Sequence, residues 1–389
     1  MGNNISLFIS SLCGGGAERI ITELYESLPK EINRKLIKIY KTDNRIERFI
    51  IADSESLVNY HDKLIIRLLT IPVIIKKYSK LLKNNDINLS LSFLPTDNVV
   101  NILACNLSNT MPIISFHLSP SYKFGNNGNI MVKFSILLSK HLKTRIISVS
   151  HNIRDELINK YHIPAEKIIV IYNPININKI SFLIKEPIDL PQFNLNIPII
   201  LAVGRLENEK GHWHLIRVFS ELRKKIPCKL VICGEGSLNE YLRQVACELN
   251  IIDDVIFQGW SENPYKYMAK ATVFVQPSLS EALPNVIIEA LYCGCPVIAA
   301  DCGKGIKEII DPLKYEGIIS KKLSGIKHNA DEPLDEGEQD LYFNLSRVIM
   351  DNYLRTHLSI NGKERANFFS YEKSMTEYTN LIQNDSIKI

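Results

Sequence analysis

The fold is decided by residues 199–212, which read Ile-Ile-Leu-Ala-Val-Gly-Arg-Leu-Glu-Asn-Glu-Lys-Gly-His. The apolar run at 199–203 has the length and composition of a buried strand, and Gly204 ends it. A loop with two cations, Arg205 and Lys210, follows, and helical spacing of apolar residues starts directly after it. A buried strand, a glycine turn and a helix in this order are typical of a βαβ unit with a parallel sheet.

The same pattern recurs on both sides of this stretch. Further strands are predicted at 5–9, 88–93, 111–116, 145–150, 229–233, 255–257, 272–276 and 296–300, and helices are predicted over 18–28 and from near His212, Ser237, Pro264, Asn285 and Lys304. The proline-rich stretch 176–198 interrupts the alternation and is predicted to link two domains. A length of 389 residues also fits two α/β domains. Ligands are expected at the carboxyl ends of the strands.

The charge of the chain is unevenly distributed. Residues 1–180 carry an excess of nine basic side chains, although the whole chain has a net charge of only +4. A basic half, and the basic and apolar stretch 76–83 within it, could meet anionic lipid or a phosphorylated acceptor, or could form an ordinary solvated surface. The longest apolar run, 64–75, is too short to span a bilayer, and no signal peptide is recognised. We expect a cytoplasmic protein whose membrane contact is peripheral, on the inner face.

The eight cysteines have no metal-ligand spacing, which fits a reduced compartment. A segment rich in Asp and Glu, 331–340, is predicted to be a surface loop, and 341–382 is predicted to be helical.

Two carboxylates stand eight positions apart in residues 276–291, Gln-Pro-Ser-Leu-Ser-Glu-Ala-Leu-Pro-Asn-Val-Ile-Ile-Glu-Ala-Leu. Glu281 follows a strand, Asn285 is predicted to be the N-cap of the next helix, and Glu289 lies about one turn into that helix. The start of a helix favours an anion such as diphosphate. Glu289 could then bind ribose hydroxyls, with Glu281 nearer the reacting sugar. The alternative is that Glu289 is an ordinary glutamate stabilised by the helix dipole.

Arg205 and Lys210 suit the same chemistry. An Arg fork and a Lys point charge both bind phosphate, and here they could neutralise charge that grows on a departing nucleoside diphosphate. The alternative is a solvated basic loop.

Together these motifs resemble family 4 glycosyltransferases, which have the GT-B fold. The resemblance comprises the sequences Gly204-Arg-Leu with Lys210-Gly, Leu230-Val-Ile-Cys-Gly-Glu-Gly236, Val255-Ile-Phe-Gln-Gly259, Pro277-Ser-Leu-Ser-Glu281, Glu289-Ala-Leu-Tyr-Cys-Gly-Cys-Pro-Val-Ile298, Gly14-Gly-Gly-Ala-Glu-Arg19 and Asn173-Pro174. It implies two Rossmann-like domains with parallel sheets that face across a cleft. The expected domains are 1–185 for the acceptor and 186–365 for the nucleotide sugar, and a helix over 366–389 is expected to cross back to the first domain.

The resemblance also implies a set of site residues. Arg205 and Lys210 would hold the diphosphate, Glu289 the ribose and Glu281 the donor sugar. His117 would lie close to the transferred sugar. The alternative is that His117 is a loop histidine whose hydrogen bonds are satisfied within the protein. The remaining residues implied in donor binding are Gly15, Gly16, Gly204, Gly234, Gly236, Leu283, Asn285 and Val286; glycines at 15 and 16 would let the backbone approach the donor.

The implied activity is retaining transfer of a hexose or N-acetylhexosamine from a nucleoside diphosphate sugar, a UDP-sugar above all. The acceptor would be a hydroxyl of a glycan or a lipid-linked glycan, as in the biosynthesis of cell-surface polysaccharides. No cofactor, metal or nucleic acid is expected, and the chain has no Asp-x-Asp pair. A sugar-nucleotide epimerase on the same fold and a non-catalytic glycan- or nucleotide-binding protein stay open. A dinucleotide oxidoreductase is disfavoured because Gly14-Gly-Gly lacks the G-x-G-x-x-G spacing.

One segment departs from the family pattern. The family often has Gly-Gly-Pro-x-Glu after the strand at 296–300, whereas this chain has Asp301-Cys-Gly-Lys-Gly-Ile-Lys-Glu308. We expect a structural role for Glu308.

Overall fold

The structure, a computed structural model, describes residues 4–13, 16–41, 54–59, 64–117, 119–121, 126–281 and 283–387. The chain divides into two compact units, Met1–Pro174 with Tyr371–Ile389, and Ile175–Ser370. The domain limits expected after residues 185 and 365 stay predictions. Among the described residues, none of the helices combines the length and apolar character that a bilayer crossing requires.

The first unit is built on a seven-stranded parallel sheet. Its strands are β1 (Asn4–Ile9), β2 (Asn33–Lys41), β3 (Glu55–Asn59), β4 (Leu89–Ser92), β5 (Met111–Phe116), β6 (Arg145–Ser148) and β7 (Ile168–Val170), and its first five helices are α1 (Gly16–Ser27), α2 (Leu64–Asn84), α3 (Pro95–Ser108), α4 (Asn126–His141) and α5 (His151–Asn159). The strand order is β3-β2-β1-β4-β5-β6-β7. The order therefore reverses between β1 and β4, which is where ligands bind in open α/β sheets.

The second unit has a six-stranded parallel sheet of the same kind. Its strands are β8 (Ile199–Val203), β9 (Lys229–Cys233), β10 (Val255–Gly259), β11 (Val273–Gln276), β12 (Val297–Ala300) and β13 (Ile318–Ser320), and its helices are α6 (Ile177–Leu183), α7 (His212–Arg223), α8 (Asn239–Glu248), α9 (Tyr265–Met268), α10 (Asn285–Tyr292), α11 (Lys304–Ile309), α12 (Glu336–Met350) and α13 (Asn352–Ala366). The order is β10-β9-β8-β11-β12-β13, so the reversal lies between β8 and β11.

A last helix, α14 (Tyr371–Ile387), belongs to the first unit. Its buried side chains, Met375 and Tyr378 among them, join one hydrophobic cluster with Ile5 and Leu7 of β1. The helix thus covers one face of the first sheet, while α2 and α3 share a second cluster with Phe8, whose side chain points to the other face.

Every strand predicted from the sequence is present, but four strands were missed. Strands buried on both faces are continuous apolar runs, which is why β5, β8 and β9 were found with their full bounds. The missed β2 begins with exposed and half-buried polar residues, and the missed β7 and β13 have only three residues each. Such strands give a weak periodic signal.

The prediction of an acidic surface loop over 331–340 is confirmed for 331–335 but is wrong for 336–340, which are helical. Asp335 caps α12 in a capping box with Glu338, and the helix begins at Glu336. The Glu338 carboxylate is fully buried, and its Oε1 lies 3.0 Å from Arg217 Nε and 2.8 Å from His214 Nδ1. A buried carboxylate is tolerated because these partners satisfy it.

This buried pair predicts a large loss of stability from one isosteric change. Glu338→Gln leaves the buried Arg217 without a countercharge, so we expect the free energy of unfolding of the second unit to fall by about 3 kcal/mol. Both tryptophans, Trp213 and Trp260, lie in this unit, so urea denaturation followed by tryptophan fluorescence reports its unfolding. The control is Glu336→Gln at the first residue of the same helix, which is exposed. This change should lower the free energy of unfolding by less than about 1 kcal/mol. Equal losses in the two variants would contradict the account.

Candidate active site

The candidate site lies at the reversal of strand order in the second unit. The loop after β8 runs from Gly204 to Lys210, between the loops that follow β9 and β11. Hydrogen bonds join it to both neighbours: Leu206 N donates to Glu235 O at 2.9 Å, and Leu279 N donates to Glu209 O at 2.8 Å. Three loops from adjacent strands therefore form one continuous surface at the carboxyl edge of the sheet.

Close backbone packing explains two of the predicted glycines. Gly234 has φ +151°, and a Cβ at this position would lie 1.9 Å from the carbonyl oxygen of Gly204. A Cβ at Gly236 would lie 2.5 Å from the carbonyl oxygen of Leu206. Side chains at 234 and 236 would thus push the loop after β8 out of place. Their role in donor binding stays a prediction, and the structure supplies a packing reason for both glycines. A Cβ at position 204 would make only ordinary contacts, the nearest 3.8 Å from Lys210 Cδ.

The loops after β8 and β11 meet in an ion pair. Lys210 Nζ lies 2.5 Å from Glu281 Oε1, and the two side chains are only 18% and 9% exposed. The same carboxylate oxygen accepts hydrogen bonds from Gln276 Nε2 and Ser278 Oγ, both at 2.9 Å. A carboxylate with three donors is held in one orientation. The structure therefore joins two residues to which the sequence had given separate tasks, one toward the diphosphate and one toward the sugar.

Arg205 has a different environment in the same loop. Its side chain is 68% exposed and forms an ion pair with Glu209, with Arg205 Nη2 2.9 Å from Oε1. Exposed pairs of this kind contribute little stability, so the guanidinium can exchange this partner for another anion without a large loss.

The helix α10 follows the Glu281 loop. Its N-cap is Pro284, and Asn285 is the first helical residue, so the prediction of an Asn285 cap was wrong. The physical reason is that Pro284 keeps an extended backbone and fixes the start of the helix one residue earlier. Leu283 is buried just before the helix, and Val286 lies in its first turn. The helix start brings amide groups and a positive dipole end toward the loop.

Glu289 is the fifth residue of α10 and is only 4% exposed. A carboxylate so deeply buried requires specific partners. The structure thus places Glu281 in the loop and Glu289 inside the helix that the same loop opens.

The sequence analysis missed His212, the first residue of α7. It is buried, and neither ring nitrogen has a hydrogen-bond partner within the described chain. Burial, together with the nearby charge of Lys210, lowers the pKa of His212 to about 4. The imidazole is therefore neutral at pH 7. Its place directly after Lys210-Gly211 was the available signal, and Gln276 and Ser278 could have been noted for their short spacing to Glu281.

In the first unit, His117 comes directly after β5. Its ring lies 5.2 Å from the ring of Phe93, between centroids, and its Nε2 is buried without a hydrogen-bond partner in the described chain. Burial lowers the pKa of His117 to about 4, so this imidazole is neutral as well. Of the two glycines expected at the donor, Gly16 is the first residue of α1, and Gly15 lies outside the described residues.

A second buried group in the first unit lies at its own strand reversal. Asp97, in the first turn of α3, accepts hydrogen bonds from the backbone N–H and the hydroxyl of Ser10 at the end of β1. Burial raises the pKa of Asp97 to about 7. The contact ties the loops after β1 and β4 together, as the Lys210–Glu281 pair does for β8 and β11.

Within the described residues, one group of side chains has the spacing of metal ligands: His214, Asp335 and Glu338. Their atoms already bind one another and the protein. Gly325 N–H donates to His214 Nε2, the Asp335 N–H donates to Glu338 Oε2, and the Glu338 N–H donates to Asp335 Oδ1. This cluster fixes α12 to α7, and its hydrogen bonds give it a structural role.

Two protein families match successive parts of the chain, which together make up most of its length. The family described as Glycosyl transferases group 1 matches residues 188–328, and the family described as Glycosyltransferase Family 4 matches residues 14–179.

Two relatives and a solved structure agree with these matches. The N-acetylgalactosamine-N,N'-diacetylbacillosaminyl-diphospho-undecaprenol 4-alpha-N-acetylgalactosaminyltransferase of Campylobacter jejuni is 30% identical over 95% of this chain and 96% of its own. A second Campylobacter jejuni enzyme is 27% identical over 97% of this chain and 98% of its own. It is the GalNAc-alpha-(1->4)-GalNAc-alpha-(1->3)-diNAcBac-PP-undecaprenol alpha-1,4-N-acetyl-D-galactosaminyltransferase. Anabaena HepE in complex with UDP-glucose superposes with a TM-score of 0.78 at 18% identity, over 98% of this chain and 99% of HepE. The chain therefore belongs to glycosyltransferase family 4 and is a glycosyltransferase with the GT-B fold.

Proposed function

We propose that this glycosyltransferase transfers a hexose or N-acetylhexosamine, with retention, from a UDP-sugar to a hydroxyl of a lipid-linked glycan. The observation that carries the proposal is the shielded Lys210–Glu281 pair at the strand reversal, beside the start of α10. The named acceptors of both Campylobacter relatives are undecaprenol-linked, which supports a lipid-linked acceptor here. The UDP-glucose complex of HepE supports a UDP-sugar donor.

The phosphate end of the donor is assigned to cations and backbone amides. Lys210 supplies a positive charge whose position is fixed by Glu281, and Arg205 supplies a mobile guanidinium that can leave Glu209 for a phosphate. The start of α10, with Asn285 and Val286 in its first turn, adds the positive end of a helix dipole. Together these groups stabilise the charge that develops on the leaving diphosphate.

Glu289 and Glu281 bind the two remaining parts of the donor, the ribose and the transferred sugar. Glu289, buried inside α10, accepts hydrogen bonds from the vicinal hydroxyls of the ribose, as a carboxylate does in other nucleotide sites. One carboxylate oxygen of Glu281 accepts hydrogen bonds from Lys210, Gln276 and Ser278, and the other oxygen faces the sugar. Its negative charge lies where the transferred ring develops positive charge.

The proposed reaction breaks the bond between the anomeric carbon and the diphosphate oxygen and forms a bond from the same carbon to the acceptor oxygen. Attack on the same face as departure retains the configuration. The acceptor hydroxyl gives its proton to the departing diphosphate oxygen, so no side chain needs to act as nucleophile. The neutral imidazole of His117 can donate a hydrogen bond to a sugar hydroxyl without adding charge.

We also propose that the reaction needs no metal ion. Lys210 and Arg205 supply positive charge at the diphosphate, which is the task that a bound divalent cation performs in other transferases. A peripheral position on the cytoplasmic face of a membrane follows from a lipid-linked acceptor and a water-soluble donor.

The proposal predicts the outcome of a transfer assay. Purified protein with undecaprenyl diphosphate-linked N-acetylhexosamine in detergent is incubated with a panel of UDP-sugars, and the products are resolved by mass spectrometry and NMR. We expect one extended glycan with an α linkage from an α-linked donor, at an unchanged rate in EDTA. An inverted product, or a rate lost in EDTA and restored by manganese, would contradict the mechanism. Conversion of the UDP-sugar to its epimer without any transfer would favour the epimerase alternative.

A second prediction concerns the nucleoside part of the donor. Glu289→Gln should weaken the binding of free UDP by about tenfold, because one charge-assisted hydrogen bond contributes about 1.5 kcal/mol or more. The KM for the donor should rise by a similar factor with kcat nearly unchanged, since the ribose contact is the same in the ground and transition states.

The matched control is Glu240→Gln, an exposed glutamate in the first turn of α8 in the same unit. Calorimetric titration with UDP should not distinguish this control from the wild type. Unchanged UDP affinity in Glu289→Gln would show that the ribose lies elsewhere.

A further inference from the structure

The helices α2, α3 and α4 form one layer on the first sheet. The helix α3 packs against both α2 and α4, and α2 and α3 share a hydrophobic cluster beneath them. Each helix follows one strand of a parallel sheet and precedes another, so all three begin at the edge where the strands end. The amino-terminal halves of the helices therefore lie toward the ligand-binding edge of the first unit.

The outer surface of this layer has a regular pattern. On α2, residues 69, 73, 76, 80 and 83 follow the three- and four-residue spacing of one helix face. This face begins with exposed Leu69 and Val73 and continues with exposed Lys76, Lys80 and Lys83.

The helix α4 repeats the combination of apolar and basic side chains. Ile130, Phe134 and Leu137 share one face, and all three are exposed, Ile130 to 58%. Lys133 and Lys140 flank that face, with Lys133 exposed and Lys140 partly so. Single exposed apolar side chains are common on protein surfaces, but aligned faces on two helices of one layer are characteristic of a binding surface.

Acidic side chains are missing from the sequence of this layer. Residues 98–154 contain neither Asp nor Glu, although they contain six Lys and Arg residues, and α2 contains no acidic residue either. The one carboxylate in α3, Asp97, is buried and bonded to Ser10. Asp86, in the turn after α2, is exposed. A basic surface with apolar side chains is complementary to anionic lipid, which attracts the lysines and accepts the apolar groups.

We propose that the outer face of the α2–α3–α4 layer docks on an anionic lipid bilayer, with Ile130, Phe134 and Leu137 inserted among the lipids. The proposal rests on the lipid-linked acceptor of the proposed function. It adds the docking surface and an orientation: the apolar residues Leu69, Val73 and Ile130 lie in the amino-terminal halves of their helices, toward the ligand-binding edge. An acceptor held in the bilayer would then present its headgroup to that edge.

Vesicle flotation of the full chain tests the docking surface. The wild type should float with vesicles of phosphatidylcholine and phosphatidylglycerol, should float less in high salt, and should float poorly with phosphatidylcholine alone. Two variants should reduce the partition coefficient by at least about tenfold each. One combines Ile130→Ser, Phe134→Ser and Leu137→Ser, and the other combines Lys76→Glu, Lys80→Glu and Lys83→Glu.

Matched controls change the same residue types at exposed positions of the second unit. The apolar control combines Ile360→Ser, Phe343→Ser and Leu313→Ser, and the basic control combines Lys224→Glu, Lys314→Glu and Lys321→Glu. Both should partition within about twofold of the wild type, because only charges and apolar groups close to the bilayer contribute.

UDP affinity, measured on every variant, separates this proposal from the proposed function. The docking variants should bind UDP normally and should transfer sugar in detergent at the wild-type rate, which also shows that both units are folded. Flotation of the docking variants at the level of their controls would overturn the proposed surface, even if UDP binding and transfer in detergent were intact. A second outcome would also overturn the proposal. If the wild type formed a dimer but did not bind vesicles, and if both docking variants abolished the dimer, the same face would be assigned to a second copy of the chain.

Discussion

The ion pair between Lys210 and Glu281 is the interaction on which the candidate site depends. It joins the loops after β8 and β11, the two strands at which the order of the second sheet reverses. The two side chains are mostly shielded from water and offset each other's charge, and a carboxylate with three donors cannot rotate freely. The pair therefore fixes a cation at the edge where ligands bind in this type of sheet.

Backbone constraints hold the pair in place. Gly234 and Gly236 let the loop after β9 lie directly against the backbone of Gly204 and Leu206, where a side chain would collide. On the other side, the hydrogen bond from Leu279 N to Glu209 O keeps the Glu281 loop at the level of Lys210. The first unit uses Ser10 and Asp97 for the same purpose at its own reversal. In both units a mostly buried carboxylate joins the segments that follow two neighbouring strands.

The sequence predicted the parts of the molecule that depend on local pattern. The buried strands and the start of α7 and α10 follow from apolar runs and turn residues. Glu281, Arg205 and Lys210 stand in recognisable loops, and Glu289 stands in the helix that follows the Glu281 loop. The Lys210–Glu281 pairing could not be predicted, because it joins residues 71 positions apart through the strand order, which periodicity does not report. The burial of Glu338 was missed for the same reason: its partners, His214 and Arg217, are more than a hundred positions away.

A double-mutant cycle on Lys210 and Glu281 tests the central claim most directly. Donor turnover is measured for the wild type, Lys210→Ala, Glu281→Gln and the double variant, with urea denaturation followed by tryptophan fluorescence as a check on folding. Each single change should lower kcat by about 10²–10³, because it removes a charge that stabilises the transition state. The double variant should be about as slow as the slower single variant, since the two residues act as one unit. Losses that multiply in the double variant would show that the two residues act independently and would contradict the account.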